Sequence, residues 1–284
     1  MNWLLEPFEL INGERALLAA VVIGFTNGYL STYVVLRKSA LKVGALSNSL
    51  FPGIAVAVLI AGLTQTGAFL GAVGAALVTG LGSLLVARSS RLDHDTSLAV
   101  LFTSAFALGI VLMRYLDIPS ELDQWLLGNI LGMSDADLWI VYGISGAALL
   151  FLTMFQRPII VLLFEPDVAA SLGIPVRRYS YIMFGLVILV LVSSIQAIGT
   201  VLSLALLTTP AATIYMLCDS PRLVFWGGAF LGAGASMISL VACYWMDVPA
   251  GAMIVVVLGF LFLVSYLFSP KYGLVRWFAS RRKG

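Results

Sequence analysis

The chain is a succession of apolar blocks, each about 20 residues long, which is the length an α-helix needs to cross a bilayer. The blocks cover residues 15–36, 43–63, 66–87, 96–113, 138–155, 179–197, 200–218, 223–246 and 250–268. With 61% hydrophobic and 11% charged residues, the chain lacks the polar surface of a water-soluble domain. The pattern predicts an all-α fold, a polytopic transmembrane helical bundle of about eight or nine spans that forms a single transmembrane domain over residues 1–284.

The uncharged run 179–218 is the hardest part to divide into spans. It is long enough for two spans, but it also fits one span followed by a re-entrant half-helix around residues 196–210. Backbone breaks at membrane depth are tolerated only where protein or a water-filled cavity covers them. Both divisions stay open from the sequence.

Basic residues are distributed unequally between the two sides that nine spans would create. With a cytoplasmic C-terminus, all but Arg15 and Arg114 of the 16 lysines and arginines lie inside. Because cytoplasmic loops carry an excess of these residues, we expect the N-terminus outside and the C-terminus in the cytoplasm. The segment 271–284, with Trp277 among basic residues, is expected to be a cytoplasmic tail that contacts membrane lipid.

A polar segment, Arg157–Arg178, separates two of the apolar blocks. Within it, Pro166 suits a first helical residue, Asp167 places negative charge in the first turn, and Gly173 suits a helix end. The pattern predicts a short cytoplasmic helix over residues 166–172, which would offer a rigid contact surface to a soluble partner. An ordinary interhelical loop with one helical turn is the alternative.

No Asp, Glu, Lys, Arg or His lies in the cores of the proposed spans. Proton-coupled transporters need ionisable groups at depth, and a nucleotide-hydrolysing chain would need a phosphate-binding loop that this sequence lacks. The single histidine, His94, fits a surface residue better than a ligand. We therefore expect no catalytic residues, no enzyme activity and no nucleic-acid partner, and we expect another subunit to supply the energy.

Neutral polar residues form two clusters beside helix-breaking residues. One lies ahead of Pro52 and Gly53 and consists of Ser47, Asn48 and Ser49. The other surrounds Gly199 and Pro210 and consists of Gln196, Thr200, Thr208 and Thr209. Neutral oxygens near a helix break can line a pathway, although hydrogen bonds between helices are the simpler use of each residue. Taken together, the clusters predict a translocation pathway lined by Ser47, Asn48, Ser49 and Gln196.

Six segments, in order along the chain, resemble the membrane-spanning subunits of ABC-type importers for zinc, manganese and iron. They are residues 34–57, 94–112, 124–138, 164–174, 195–213 and 248–274. The resemblance implies a bacterial plasma (inner) membrane permease for a divalent transition metal ion or a metal-bearing solute. It also implies a second permease copy or a sister permease, and an extracellular or periplasmic solute-binding protein.

The segment FEPDVAASLG resembles the family's coupling helix, on which ABC ATPase subunits dock. The residues that the resemblance assigns to this contact are Phe164, Glu165, Pro166, Asp167, Ala170, Leu172 and Gly173. ATP and magnesium would be bound by the ATPase, so no cofactor is expected on this chain.

The sequence departs from the family where the metal is thought to bind. The family's GDALSHAVLPG reads VGALSNSLFPG here, with Gly44 in place of the aspartate and Asn48 in place of the histidine. Asn offers a weaker ligand than imidazole to a transition metal, and glycine offers none. No metal site is therefore predicted on this chain. A sister permease could supply the ligands, the substrate could differ, or the chain could be a non-conducting paralogue that scaffolds a heterodimer.

Overall fold

The computed structural model describes residues 13–62, 64–115, 134–246, 248 and 250–269, and its ordered elements there are helices. In chain order they are α1 Gly13–Leu36, α2 Ala40–Asn48, α3 Phe51–Ala61, α4 Gln65–Ser89, α5 His94–Tyr115, α6 Asp135–Met154, α7 Gln156–Phe164, α8 Pro166–Ser171, α9 Val176–Ile198, α10 Thr200–Leu206, α11 Thr209–Tyr215, α12 Pro221–Met246 and α13 Ala250–Phe268. Within the described residues, 8 helical segments are long and apolar enough to span a membrane, with α2 and α3 counted as one. The predicted all-α membrane bundle is confirmed.

Helix α1 packs antiparallel to α12 through facing glycines. A Cβ atom on Gly228 would lie 2.6 Å from the carbonyl oxygen of Gly28, so the two backbones touch there. Further along the same seam, the Thr32 hydroxyl donates to the carbonyl of Val224 over 3.1 Å. Small residues permit such close approach in lipid, where tight packing holds helices together. This seam places α1 in the interior of the bundle.

Polar contacts define the two ends of the bundle. Arg15, at the start of α1, pairs with Asp135 at the start of α6 over 2.6 Å. Since α1 runs away from this "Arg15 end", the following turn and the start of α2 lie at the other end. There Lys42 pairs with Asp95, in the first turn of α5, over 2.9 Å. We call this second region the Lys42 end.

The broken helix pair α10 and α11 also crosses the bundle. It begins just after Gly199, three residues beyond Gln196 in the sequence, and Gln196 is hydrogen-bonded to α6 at the Arg15 end. It finishes near Met216, whose carbonyl accepts a hydrogen bond of 2.7 Å from Ser269, just after α13. Because α12 leaves the Lys42 end and α13 returns to it, the run 179–218 contains two crossings. The re-entrant alternative correctly anticipated a backbone break, but the segment does not turn back.

Candidate translocation pathway and coupling surface

The short helix predicted over residues 166–172 is present as α8, Pro166–Ser171. Pro166 stands in its first turn, where a missing N–H costs nothing. Gly173 has φ +77°, and the N–H of Ile174 reaches back to the carbonyl of Ala169 over 3.0 Å. A residue in this left-handed conformation commonly closes a helix. Local sequence therefore determines both ends of α8.

Three exposed apolar side chains lie in and directly beside α8 at the Lys42 end, and we call them the α8 apolar row. Phe164 ends α7, Val168 lies in α8 and Leu172 follows its last residue, and they are 53%, 42% and 66% exposed. Ala169, on the opposite side, is fully buried and fixes the helix to the bundle. The remaining residues assigned to the coupling contact are also exposed: Glu165, Pro166, Asp167, Ala170 and Gly173. The sequence interpretation missed Val168, although an apolar residue inside the predicted cytoplasmic helix was a usable signal.

The first polar cluster lies where α2 ends and α3 begins. The Ser47 hydroxyl donates to the Gly44 carbonyl over 2.7 Å, and the Ser49 hydroxyl donates to the Leu46 carbonyl over 2.8 Å. Both serines are buried, whereas Asn48 between them is partly exposed. The two hydroxyls therefore satisfy the end of their own helix, and Asn48 is the residue of this cluster with an accessible side chain.

Gly44 and Asn48 are four residues apart on α2 and so share one face of the helix. A Cβ atom on Gly44 would lie 3.4 Å from a Cδ atom of Leu204, which places α10 opposite this face. Near the break between α10 and α11, Leu204 and Thr208 are only partly covered by the described chain. Two interrupted helices thus lie side by side, each with partly accessible residues near its break.

Gln196, the fourth predicted pathway residue, lies at the Arg15 end and is held by a carboxylate. Its amide donates to an Oδ atom of Asp137 over 2.7 Å. Asp137 is only 2% exposed and also accepts from the Ser134 hydroxyl over 2.7 Å. The structure therefore does not bring Gln196 to the α2 break but to the start of α6.

Asp137 is buried at the start of α6, although an exposed carboxylate is the simpler expectation for a residue just outside the apolar block 138–155. Ser134 and Asp137 form a capping box at the start of α6, in which each side chain bonds the other residue's backbone N–H. The spacing of a serine and an acid three residues later was the available signal for this local contact. The bond to Gln196, 59 residues away, had no such signal.

A second polar contact crosses the interior between α1 and α9. The Asn27 amide donates to the Ser194 hydroxyl over 2.7 Å, and both residues are buried. The side-chain oxygen of Asn27 has no hydrogen-bond partner within the described part of the chain. This residue was not singled out from the sequence. Across the described ranges, no three His, Cys, Asp or Glu side chains converge as a metal-binding group.

Comparison with known proteins identifies the family of this chain. The chain is 36% identical over 272 residues to the manganese transport system membrane protein MntC of Halalkalibacterium halodurans, covering 95% of this chain and 91% of that protein. It is 33% identical over 275 residues to a Haemophilus influenzae protein named "Probable iron transport system membrane protein", covering 97% and 96% of the two chains.

A solved structure shows the same fold. It is described as PsaBC from Streptococcus pneumoniae in complex with Fab, and one of its chains superposes with a TM-score of 0.86 at 31% identity, over 95% of this chain and 96% of that one. The profile of the ABC 3 transport family matches residues 9–269. The protein is therefore a multi-pass membrane permease that belongs to the ABC 3 transport family.

Proposed function

We propose that this permease imports Mn²⁺ or Fe²⁺ and that ABC ATPase subunits drive it by binding α8. The relatives named for manganese and iron transport cover nearly the whole chain and support this substrate class. ATP and magnesium would be held by the ATPase. A second permease copy or a sister permease would complete the pathway, and a solute-binding protein would deliver the ion at the Arg15 end.

The charge distribution supports a cytoplasmic position for the Lys42 end. This end carries the basic residues of the α1–α2 turn, the α4–α5 turn and the start of α9: Arg37, Lys38, Lys42, Arg88, Arg91, Arg177 and Arg178. Among described basic residues, the Arg15 end carries Arg15 and Arg114. By the positive-inside rule, this distribution supports a position of α8 on the cytoplasmic side of a bacterial plasma membrane.

The α8 apolar row is the observation that carries the coupling proposal. Three exposed apolar side chains, in and directly beside a short helix outside the spans, match what a soluble partner would cover. Truncating central apolar contacts usually weakens an interface strongly. The acidic Glu165 and Asp167 beside the row would add electrostatic selectivity for a basic groove.

The α2 face with Gly44 and Asn48, opposite α10, is the proposed pathway within this chain. It offers neutral oxygen atoms and no imidazole or carboxylate, so it would bind a hydrated ion weakly. Weak binding suits passage, provided that the partner permease or the delivering protein provides selectivity. The predicted contributions of Ser47 and Ser49 would be limited to holding the end of α2, because both are buried.

One uptake assay in proteoliposomes containing the complete complex tests these assignments. We expect the double variant Phe164→Ala, Leu172→Ala to bind the ATPase about tenfold more weakly, or weaker still. ATP-driven uptake of ⁵⁴Mn²⁺ should then be abolished. Leu41→Ala is the matched control, since Leu41 is an apolar residue 90% exposed at the same end. Its effect should be less than twofold.

In the same assay, Asn48→Ala should reduce uptake while leaving ATPase binding unchanged. If uptake survives this change but is lost with Glu165 and Asp167 variants, the pathway assignment fails and the scaffolding paralogue becomes the better description. Uptake by the chain without any ATPase would refute the whole proposal.

A further inference from the structure

A cavity of about 560 Å³ opens at the Lys42 end, away from the proposed pathway. Its walls come from the α1–α2 turn, the last turns of α4, the start of α5 and the start of α9. Neither Asn48 nor Gln196 lines it. The cavity is therefore a separate feature of the permease.

The cavity concentrates positive charge. Its lining includes Arg37, Lys42, Arg88 and Arg177. Lys42 pairs with Asp95 at 2.9 Å, whereas the three arginines make no ion pair with a carboxylate in the described part of the protein. Such a cluster repels a divalent cation, so the cavity does not suit the exit of the transported ion.

Tyrosines lie beside the arginines. The Arg37 guanidinium donates to the Tyr33 hydroxyl over 2.8 Å and lies 5.6 Å from the centre of that ring. Arg88 and Arg177, from α4 and α9, line the cavity together with Tyr181. Two helices that are far apart in sequence thus present guanidinium groups to one space, where planar donors suit phosphate oxygens.

The deeper walls of the cavity are apolar. They include Val43, Leu46, Leu98 and Phe184, which lie toward the interior from the basic rim. A free anion would gain nothing from these side chains, whereas a phospholipid could place its phosphate at the rim and its upper acyl chain against them. Basic pockets between spans on the cytoplasmic side are suited to anionic head groups.

We propose that this cavity binds one anionic phospholipid of the cytoplasmic leaflet, with its phosphate held by Arg88, Arg177 and Arg37. The leaflet assignment rests on the proposed orientation, but the lipid class does not. Because the bound lipid would contact α4 and α9 together, it would fix the position of α9 beside the coupling helix α8.

The test measures lipid binding by the purified chain in neutral detergent, by native mass spectrometry and thermal stabilisation. Phosphatidylglycerol should bind at least tenfold more tightly than phosphatidylcholine. The double variant carries Arg88→Gln and Arg177→Gln. Each lost charge should weaken phosphatidylglycerol binding about fivefold, so the double variant should bind this lipid about 25-fold more weakly. Arg88→Lys with Arg177→Lys should restore most of the binding, which would exclude misfolding as the cause.

Arg157→Gln with Arg178→Gln is the matched control, because it removes the same charge from residues that do not line the cavity. An equal loss in this control would refute a specific site. Equal stabilisation by inorganic phosphate would overturn the lipid assignment. The assay needs no transport, so it can succeed even if the proposed orientation or substrate fails.

Discussion

Asp137 anchors the Arg15 end, and its removal should destabilise the protein measurably. The carboxylate accepts from the Ser134 backbone N–H over 3.1 Å, the Ser134 hydroxyl over 2.7 Å and the Gln196 amide over 2.7 Å. It is almost fully buried, so water cannot replace these bonds. Asp137→Ala therefore removes the reciprocal half of the capping box, the bond from the Ser134 N–H, and leaves the partly buried Gln196 amide without this acceptor.

The expected cost follows from these two losses. The lost bond between the Asp137 carboxylate and the Ser134 N–H costs about 1 kcal/mol, and the lost bond from the Gln196 amide to a charged acceptor costs about 1.5–3 kcal/mol. Because one side chain serves both contacts, we expect roughly 3 kcal/mol for Asp137→Ala. Asp137→Asn keeps one acceptor oxygen and should lose roughly half of this amount.

Reversible unfolding in mixed micelles, followed by tryptophan fluorescence, measures this free energy. Asp135→Asn is the control, since Asp135 lies in the same helical turn but pairs with Arg15 in an exposed bridge, with side chains 74% and 58% exposed. Exposed bridges contribute about 0–1 kcal/mol. Equal losses for Asp137→Ala and Asp135→Asn would show that the buried network does not stabilise the fold as argued.

Two further measurements test the packing and the orientation. Gly28→Val should cost about 1–3 kcal/mol in the same unfolding assay, because its side chain meets the Gly228 backbone, whereas Gly74→Val has open space and should cost less than 1 kcal/mol. In a Cys243→Ser background, a membrane-impermeant maleimide should reach Cys218 from the cytoplasmic side only. Burial, and to a smaller extent the Asp219 charge, raises the pKa of this thiol. Because the thiolate is the reacting form, labelling should continue to accelerate above the pH at which a free thiol has fully ionised.

Local features of the fold could be predicted from the sequence because local residues determine them. Blocks of spanning length located the crossings, and Pro52 and Pro210 marked the first turns of α3 and α11. Pro166 and Gly173 bounded α8 in the same way. Each of these signals acts within one or two helical turns, so no knowledge of packing was needed.

The arrangement of the polar side chains could not be predicted, because it depends on helix rotation and on distant partners. Ser47, Asn48 and Ser49 are consecutive, yet only the middle residue is partly exposed. The Asn27–Ser194 bond joins residues 167 apart, and the basic cavity draws on four chain segments. Such contacts depend on tertiary packing, and local sequence periodicity does not predict them.

Helix α9 connects the proposed coupling surface to the Arg15 end. It follows α8 after a short turn, spans 23 residues, and carries Gln196 near its far end. At 1.5 Å per residue, Gln196 lies about 30 Å from the start of α9. A tilt of about 5° at the α8 end would therefore move Gln196 by about 3 Å, enough to break its bond to Asp137. In the proposed transport cycle, the bond between Gln196 and Asp137 is therefore a contact at the Arg15 end that such a tilt of α9 would break.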